Sequence, residues 1–170
     1  LCDGYLIVPT VRIEVEKFRT KKQEKLLKML NDPRVQKEIN TYIGNAINQF
    51  VPKKTGALRN SMKINQKSIS WGNRLKYAHY QYVGEVYGPN HPIIRRGTIV
   101  GWYSTPGQPK YPTGRELGIP GEWMGWKFGY TTPGTRHHWD KAFTYQVKLK
   151  TNQEITRYLK GECRRRGLKT

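Results

Sequence analysis

Val35, Ile39, Tyr42, Ile43, Ala46, Ile47 and Phe50 fall on one stripe of a 3.6-residue period, and two prolines bracket the segment that carries them. Asp32 is a good N-cap, Pro33 a good first helical residue, and Pro52 a stop. The spacing predicts a helix over 33–50. Gly44 inside it weakens the helix slightly or admits a closely packed neighbour. A stripe this long must be covered by other parts of the chain, so the fold turns on what covers it.

Candidate covers lie on both sides. Val11, Ile13 and Val15 alternate with Arg12, Glu14 and Glu16, which predicts a half-buried strand, with Pro9 at its start or on an edge. The stretch RTKKQEKLLKML predicts a short helix carrying Leu26, Leu27, Met29 and Leu30. Met62 and Ile64 alternate with polar neighbours, as do Ile69 and Trp71, but the phase slips near Gln66–Lys67. A hairpin turn there is the simplest explanation, with a bulge as the alternative. Helical spacing resumes in HHWDKAFTYQVKLKTNQEITRYLKGECRRRG, where Trp139, Ala142, Phe143, Ile155, Tyr158, Leu159 and Cys163 form the expected buried face. No internal repeat or heptad array appears.

From Pro89 to Pro133 the chain changes character. Most of its prolines and many glycines fall there, too many for regular pairing throughout. TIVGWYS and MGWKFGYTT remain candidates for the two strands of a hairpin arm. Trp102, Tyr103, Tyr111, Trp123, Trp126, Phe128 and Tyr130 are too apolar for an idle linker, and aromatics are the residues that anchor interfaces.

The 170 residues suit one domain with a real core. Lys and Arg outnumber Asp and Glu by 31 to 12, a net charge of +19, which favours polyanions or acidic protein surfaces. The basic residues are densest from Arg136 to Thr170. No apolar run is long enough for a transmembrane helix, and the start LCDGYLIVPT lacks the pattern of a signal peptide. Cys2 and Cys163 lie near opposite ends; they form a bridge only if the termini meet, and otherwise read as free thiols of a reducing compartment.

The motif search centres on VPKKTGALRNSM, residues 51–62. It is not a Walker loop, and its lone glycine builds no phosphate cradle. Thr55 and Gly56 read as a turn after a helix. Gly56 is suited to a positive φ and Thr55 to a bond with nearby backbone. Leu58 is expected to plug the core, and Arg59 to face a partner or solvent. His137 and His138 are adjacent, so their side chains diverge, and no further His or Cys stands at a metal-ligand spacing. His138 and Asp140 lack a nucleophile elbow, and Glu85 and Glu116 are too isolated for paired acid–base work. No catalytic residue, cofactor or metal site is expected. Tyr77, Tyr80, Tyr82 and Tyr87 read as core or interface residues, with base stacking as the alternative.

Three motifs in order carry a resemblance. Pro52, Thr55, Gly56, Leu58, Arg59 and Ser61 match a Pro-x-x-Thr-Gly-x-Leu-Arg-x-Ser step. Tyr77, Ala78, Tyr80 and Tyr82 match a Tyr-Ala-x-Tyr-x-Tyr segment, and Trp139 and Ala142 match an aromatic and an alanine that open a last helix. Over about residues 33–160 the chain resembles the minor capsid proteins of tailed bacteriophages, within a wider group of head–tail joining and tail-completion proteins. The resemblance implies an α+β domain, with an antiparallel sheet of four or five strands packed against the 33–50 helix and a C-terminal helix. It implies one domain over 1–170, with a core of about 11–88 and 135–162, an inserted arm at about 89–134 and a basic tail at 163–170.

The function so implied is structural and non-enzymatic. Identical subunits form a ring in the neck of the virion, between a portal or head-completion protein and a tail-tube or tail-terminator protein. The protein is made in the bacterial host cytoplasm, no membrane is involved, and the charge admits non-specific contact with packaged DNA. Thr55, Gly56, Leu58, Arg59 and Ser61 form a structural corner between helix and sheet. Trp102, Tyr103, Tyr111, Trp123, Trp126, Arg164, Arg165 and Arg166 are the candidate assembly interface. The rival reading is a basic nucleic-acid-binding protein or small nuclease, which would bind nucleic acid alone with steep salt dependence.

Overall fold

A helix forms where the apolar stripe predicts it. The computed structural model describes residues 6–7, 20–118, 129–130 and 132–168. Helix α1 (Lys21–Leu30) is capped by Thr20 and buries Met29. Helix α2 (Pro33–Asn48) follows, with Asp32 as N-cap accepting a hydrogen bond from the backbone N–H of Arg34 and Pro33 in the first turn. Its stripe divides between two cores. Val35 and Ile39 join Met29, Cys163 and Leu168, whereas Ile43, Ile47 and Phe50 join Val51, Leu58, Ile69, Trp71 and Trp139.

The second of these cores is completed by a short hairpin. Strands β1 (Leu6–Ile7), β2 (Lys63–Ile64) and β3 (Ile69–Ser70) form an antiparallel sheet in the order β1-β3-β2. Ile64 stands opposite Ile69, and the Asn65 N–H donates to the Ser68 carbonyl at 2.8 Å, so the phase slip is a hairpin turn. Gly44 of α2 packs against this sheet. A Cβ there would lie 3.2 Å from Met62 Sδ and 3.3 Å from Ile69 Cγ2. Asn40, one turn earlier, is buried, and its Nδ2 donates to the carbonyls of Asn65 and Gln66 at 2.9 Å each. A polar residue on the buried side thus fixes the turn by satisfying two carbonyls that the hairpin leaves unpaired.

The chain then passes through helix α4 (Ala78–Val83), after a single helical turn, α3 (Ala57–Asn60), within the corner. Strand β4 (Glu85–Gly88) pairs with β7 (Tyr111–Glu116), and β5 (His91–Arg95) with β6 (Thr98–Tyr103). Among the described residues, the expected sheet of four or five strands is replaced by three small antiparallel sheets of three, two and two strands. Pro92 in β5 and Pro112 in β7 have no N–H to donate, so these strands serve only as edges and no wider sheet grows through them. TIVGWY pairs with residues 91–95 through a tight turn rather than with MGWKFGYTT, most of which lies outside the described residues. The predicted strand at Val11, Ile13 and Val15, together with Cys2, also lies outside them.

The last helix starts later than expected. Trp139 and Ala142 sit in turns before it, where His138 has a left-handed backbone, and α5 (Tyr145–Arg165) begins after Thr144. The expected basic tail is mostly a helix end. Gly167 takes a positive φ, and its N–H and that of Leu168 return to the carbonyls of Arg164 and Cys163 at 3.1 and 2.8 Å. This Schellman pattern buries Leu168 beside Cys163, a free thiol. Arg166 then reaches Asp32 at 2.7 Å and Glu162 at 3.3 Å.

The Arg166 guanidinium, with the Arg34 N–H, holds the Asp32 carboxyl below its ordinary range. A depressed carboxyl stabilises the fold above its unfolded value, near 4, and that stabilisation is lost as pH falls through the folded value. Asp32→Asn keeps a capping side chain but loses the ion pair. It is expected to melt a few degrees below wild type at pH 7, with the gap closing below about pH 4. Differential scanning calorimetry at both pH values checks this. A gap unchanged at low pH contradicts it.

Candidate assembly interface

The corner VPKKTGALRNSM works as a knot between the end of α2 and the sheet. Gly56 holds φ of 88°, a left-handed conformation disfavoured for side-chain-bearing residues, and starts the single turn of α3. The Thr55 hydroxyl accepts from the Ala57 N–H at 3.4 Å. Leu58 is buried in the core formed by α2 and the hairpin. Ser61 donates to the Leu58 carbonyl at 2.6 Å and accepts from the Gly72 N–H at 2.7 Å, tying α3 to the chain that leaves β3. Trp71 donates its indole N–H to Asn48 Oδ1 at 2.9 Å, so the same sheet also grips the last turn of α2.

Arg59 differs from expectation. It does not point at a partner or at open solvent but turns back, with Nε 2.7 Å from the Val51 carbonyl and an Nη 2.6 Å from the Gln49 carbonyl. The last carbonyls of a helix have no partner within it. The guanidinium fork satisfies the C-cap carbonyl of Gln49 and, just beyond the helix, that of Val51 at the same time.

The tyrosine segment and the HHWD segment close onto the corner. His138 N–H donates to the Tyr82 carbonyl at 2.9 Å, Tyr82 donates to Asp140 Oδ1 at 3.0 Å, and Arg136 N–H donates to the Phe50 carbonyl at 3.2 Å. The Tyr82 ring meets the Trp139 indole edge-on at 4.9 Å. Tyr80 and Tyr87 stack on each other at 3.9 Å. Burial, with the charge of Lys141, keeps the His138 imidazole below its ordinary pKa. Among the described residues no cluster of His, Cys, Asp and Glu is placed to hold a metal ion.

The arm divides into a root and a tip. At the root, Leu117 and Tyr130 pack with Val86 in a third small core. Tyr130 donates its hydroxyl to the Gln81 carbonyl at 2.6 Å, and burial pushes its phenol above the usual range. Thr132 reaches the Lys53 carbonyl of the corner. A cleft of 470 Å³ lies between this root and Lys53–Leu58. At the tip, β5 and β6 turn through Arg96 and Gly97, both with positive φ, as in a type I′ hairpin. Among the described residues no other element makes a substantial contact with this hairpin. Ile94 is 61% exposed, Val100 56%, Tyr103 53% and Trp102 42%.

The candidate interface residues that the structure describes are spread over three elements. Trp102 and Tyr103 lie on β6, and Tyr111, 59% exposed, on β7. Trp123 and Trp126 lie outside the described residues. Arg164 is exposed on α5, but Arg165 pairs with Glu162 and Arg166 is held by Asp32 and Glu162. The Arg-Gly hairpin turn carries a weaker sequence signal than Asn-Gly, and Pro92 masks the alternation beside it.

Two substitutions test the knot. Gly56→Val is expected to cost ~1–2 kcal/mol through strain at a left-handed position. Arg59→Met is expected to cost about 1–3 kcal/mol by orphaning two carbonyls, and Arg59→Lys should recover only part of it, because an ammonium lacks the fork. Urea unfolding with an unchanged slope measures each. Full recovery by lysine contradicts the capping role.

A family model described as minor capsid protein matches residues 11–110, a span holding α1, α2, the corner, the tyrosine segment and the hairpin arm. No curated protein and no solved structure matches the chain. Among the described residues no helix is long and apolar enough to cross a membrane. On the strength of that match the chain belongs to the minor capsid protein family and has a structural role in a phage particle.

Proposed function

We propose that this minor capsid protein assembles as a ring of identical subunits in the neck of the virion, between portal and tail tube, and joins or seals head to tail. The observation that carries this reading is the β5–β6 hairpin. A two-stranded hairpin is marginal in water unless its apolar surface is covered. Here Ile94, Val100 and Tyr103 remain exposed on an element with which no other described element makes an extensive contact. Exposed apolar residues gathered on one projecting element mark a contact surface. Arg95 and Arg96 at its turn add a charged tip for an acidic partner. A ring of identical subunits needs two different complementary patches on each copy, and a projecting hairpin supplies one of them. A structural role also fits a corner in which Arg59 and Ser61 hold backbone and Leu58 fills the core.

The test removes the tip and spares the root. His91 and Tyr103 are cross-strand partners, so residues 92–102 can be replaced by a short Gly/Ser turn between them. The shortened chain is expected to keep its helical circular dichroism and melt cooperatively. In phage complementation it should yield filled heads without tails. Ile94→Asp with Val100→Asp, both on exposed positions, should give the same failure without shortening the chain. Normal tailed particles from either variant would overturn the arm's role. Unfolding of the shortened chain together with normal particles from the double variant would assign the hairpin to the protein's own stability.

A further inference from the structure

We infer that the outward face of α5 is a contact surface for the backbone of duplex nucleic acid, independent of where in the particle the chain sits. Gln146, Lys150, Gln153, Arg157, Lys160 and Arg164 are spaced four, three, four, three and four apart, so they fall on one side of the helix, and all six are exposed. The opposite side is the one that packs. Thr151 is buried there, and the Tyr158 ring lies 5.9 Å from Tyr42 of α2. Neither of the two acids of α5 falls on the row: Glu162 is engaged by Arg165 and Arg166, and Glu154 is on a half-buried flank. Glu154 lies one turn from Lys150 and Arg157 but forms no ion pair with either among the described residues, so the row keeps a net positive charge.

From Lys150 to Arg164 the row extends about 21 Å along the axis. A duplex presents one phosphate charge per about 1.7 Å of its length, so four cations in line meet a continuous track of counter-charge. Lys, Arg and Gln are the side chains that position proteins on phosphate and sugar without reading sequence. A protein partner fits less well. Interface cores are enriched in aromatics and depleted in Lys, and the row holds no apolar residue; Tyr145 and Leu149, the exposed apolar residues of α5, lie to one side near its start.

Fluorescence anisotropy with a labelled duplex of about two helical turns, titrated with the full chain over a range of salt, tests this. The fourfold variant Lys150→Gln, Arg157→Gln, Lys160→Gln, Arg164→Gln is compared with a charge-matched one, Lys53→Gln, Lys54→Gln, Lys63→Gln, Lys67→Gln, whose positions are also exposed. Loss of the row is expected to weaken binding at least ~10-fold near physiological salt and to flatten the log–log salt slope by about 3–4, while the control changes by less than ~3-fold. Single variants Lys150→Gln and Arg164→Gln should each flatten the slope by about 0.9, which keeps the test open if the fourfold variant misfolds. Equal losses in both fourfold variants, no binding by wild type, or equally tight binding of polyglutamate would each overturn the proposal. None of these outcomes bears on the neck assignment, which is read in assembled particles.

Discussion

The structure depends on what is done with the C-terminal end of α2. That end must stop abruptly, because Pro52 follows, and it must stop inside a core, because Val51 is fully buried. Helix carbonyls left without partners in such a place are costly. The chain meets this by returning Arg59 to the C-cap carbonyl of Gln49 and to that of Val51 just beyond, while Trp71 holds the side chain of Asn48. The Thr-Gly-x-Leu-Arg-x-Ser step then has a physical explanation at each place. Glycine provides the turn, leucine enters the core, arginine caps the helix, and serine ties the corner to the strand's exit.

The other end of α2 is held by a different device. Asp32 caps the helix and pairs with Arg166, and the Schellman end of α5 lays Leu168 against Met29 and Val35. The two ends lie in two cores, so α2 is the wall they share. This arrangement lets small sheets suffice. Among the described residues no strand of the first sheet exceeds two residues, yet Ile69 and Trp71 are buried because a helix, rather than a wide sheet, covers them.

The sequence was most informative where periodicity meets punctuation. Asp32, Pro33 and Pro52 delimit α2 within two residues, and the phase slip at Gln66–Lys67 locates the hairpin turn. The positive φ at Gly56 and the burial of Leu58 were also legible. Long-range polar contacts were not. Asn40 looks like a surface residue in any hydrophobic pattern, and only the placement of the 65–66 carbonyls makes it a core residue. Arg59 reads as a solvent charge because its partners are backbone atoms eight and ten residues earlier. The sheet was overestimated because alternation marks a strand without saying how many neighbours it has, and Pro92 and Pro112 limit them. RRRGLKT looked like a basic tail because charge hides the Gly-Leu of a helix end.

The fold built around α2 makes no extensive contact with the β5–β6 hairpin among the described residues, and the role proposed for the hairpin requires that fold to be complete without it. Native-state hydrogen exchange on the isolated chain measures this directly. The account predicts that amides of Ile43–Asn48 exchange only through global unfolding, while those of β5 and β6 exchange at least ~10³-fold faster through local opening. Protection of the hairpin equal to that of α2 in the isolated chain would contradict it, since the hairpin would then belong to the same cooperative unit as the core.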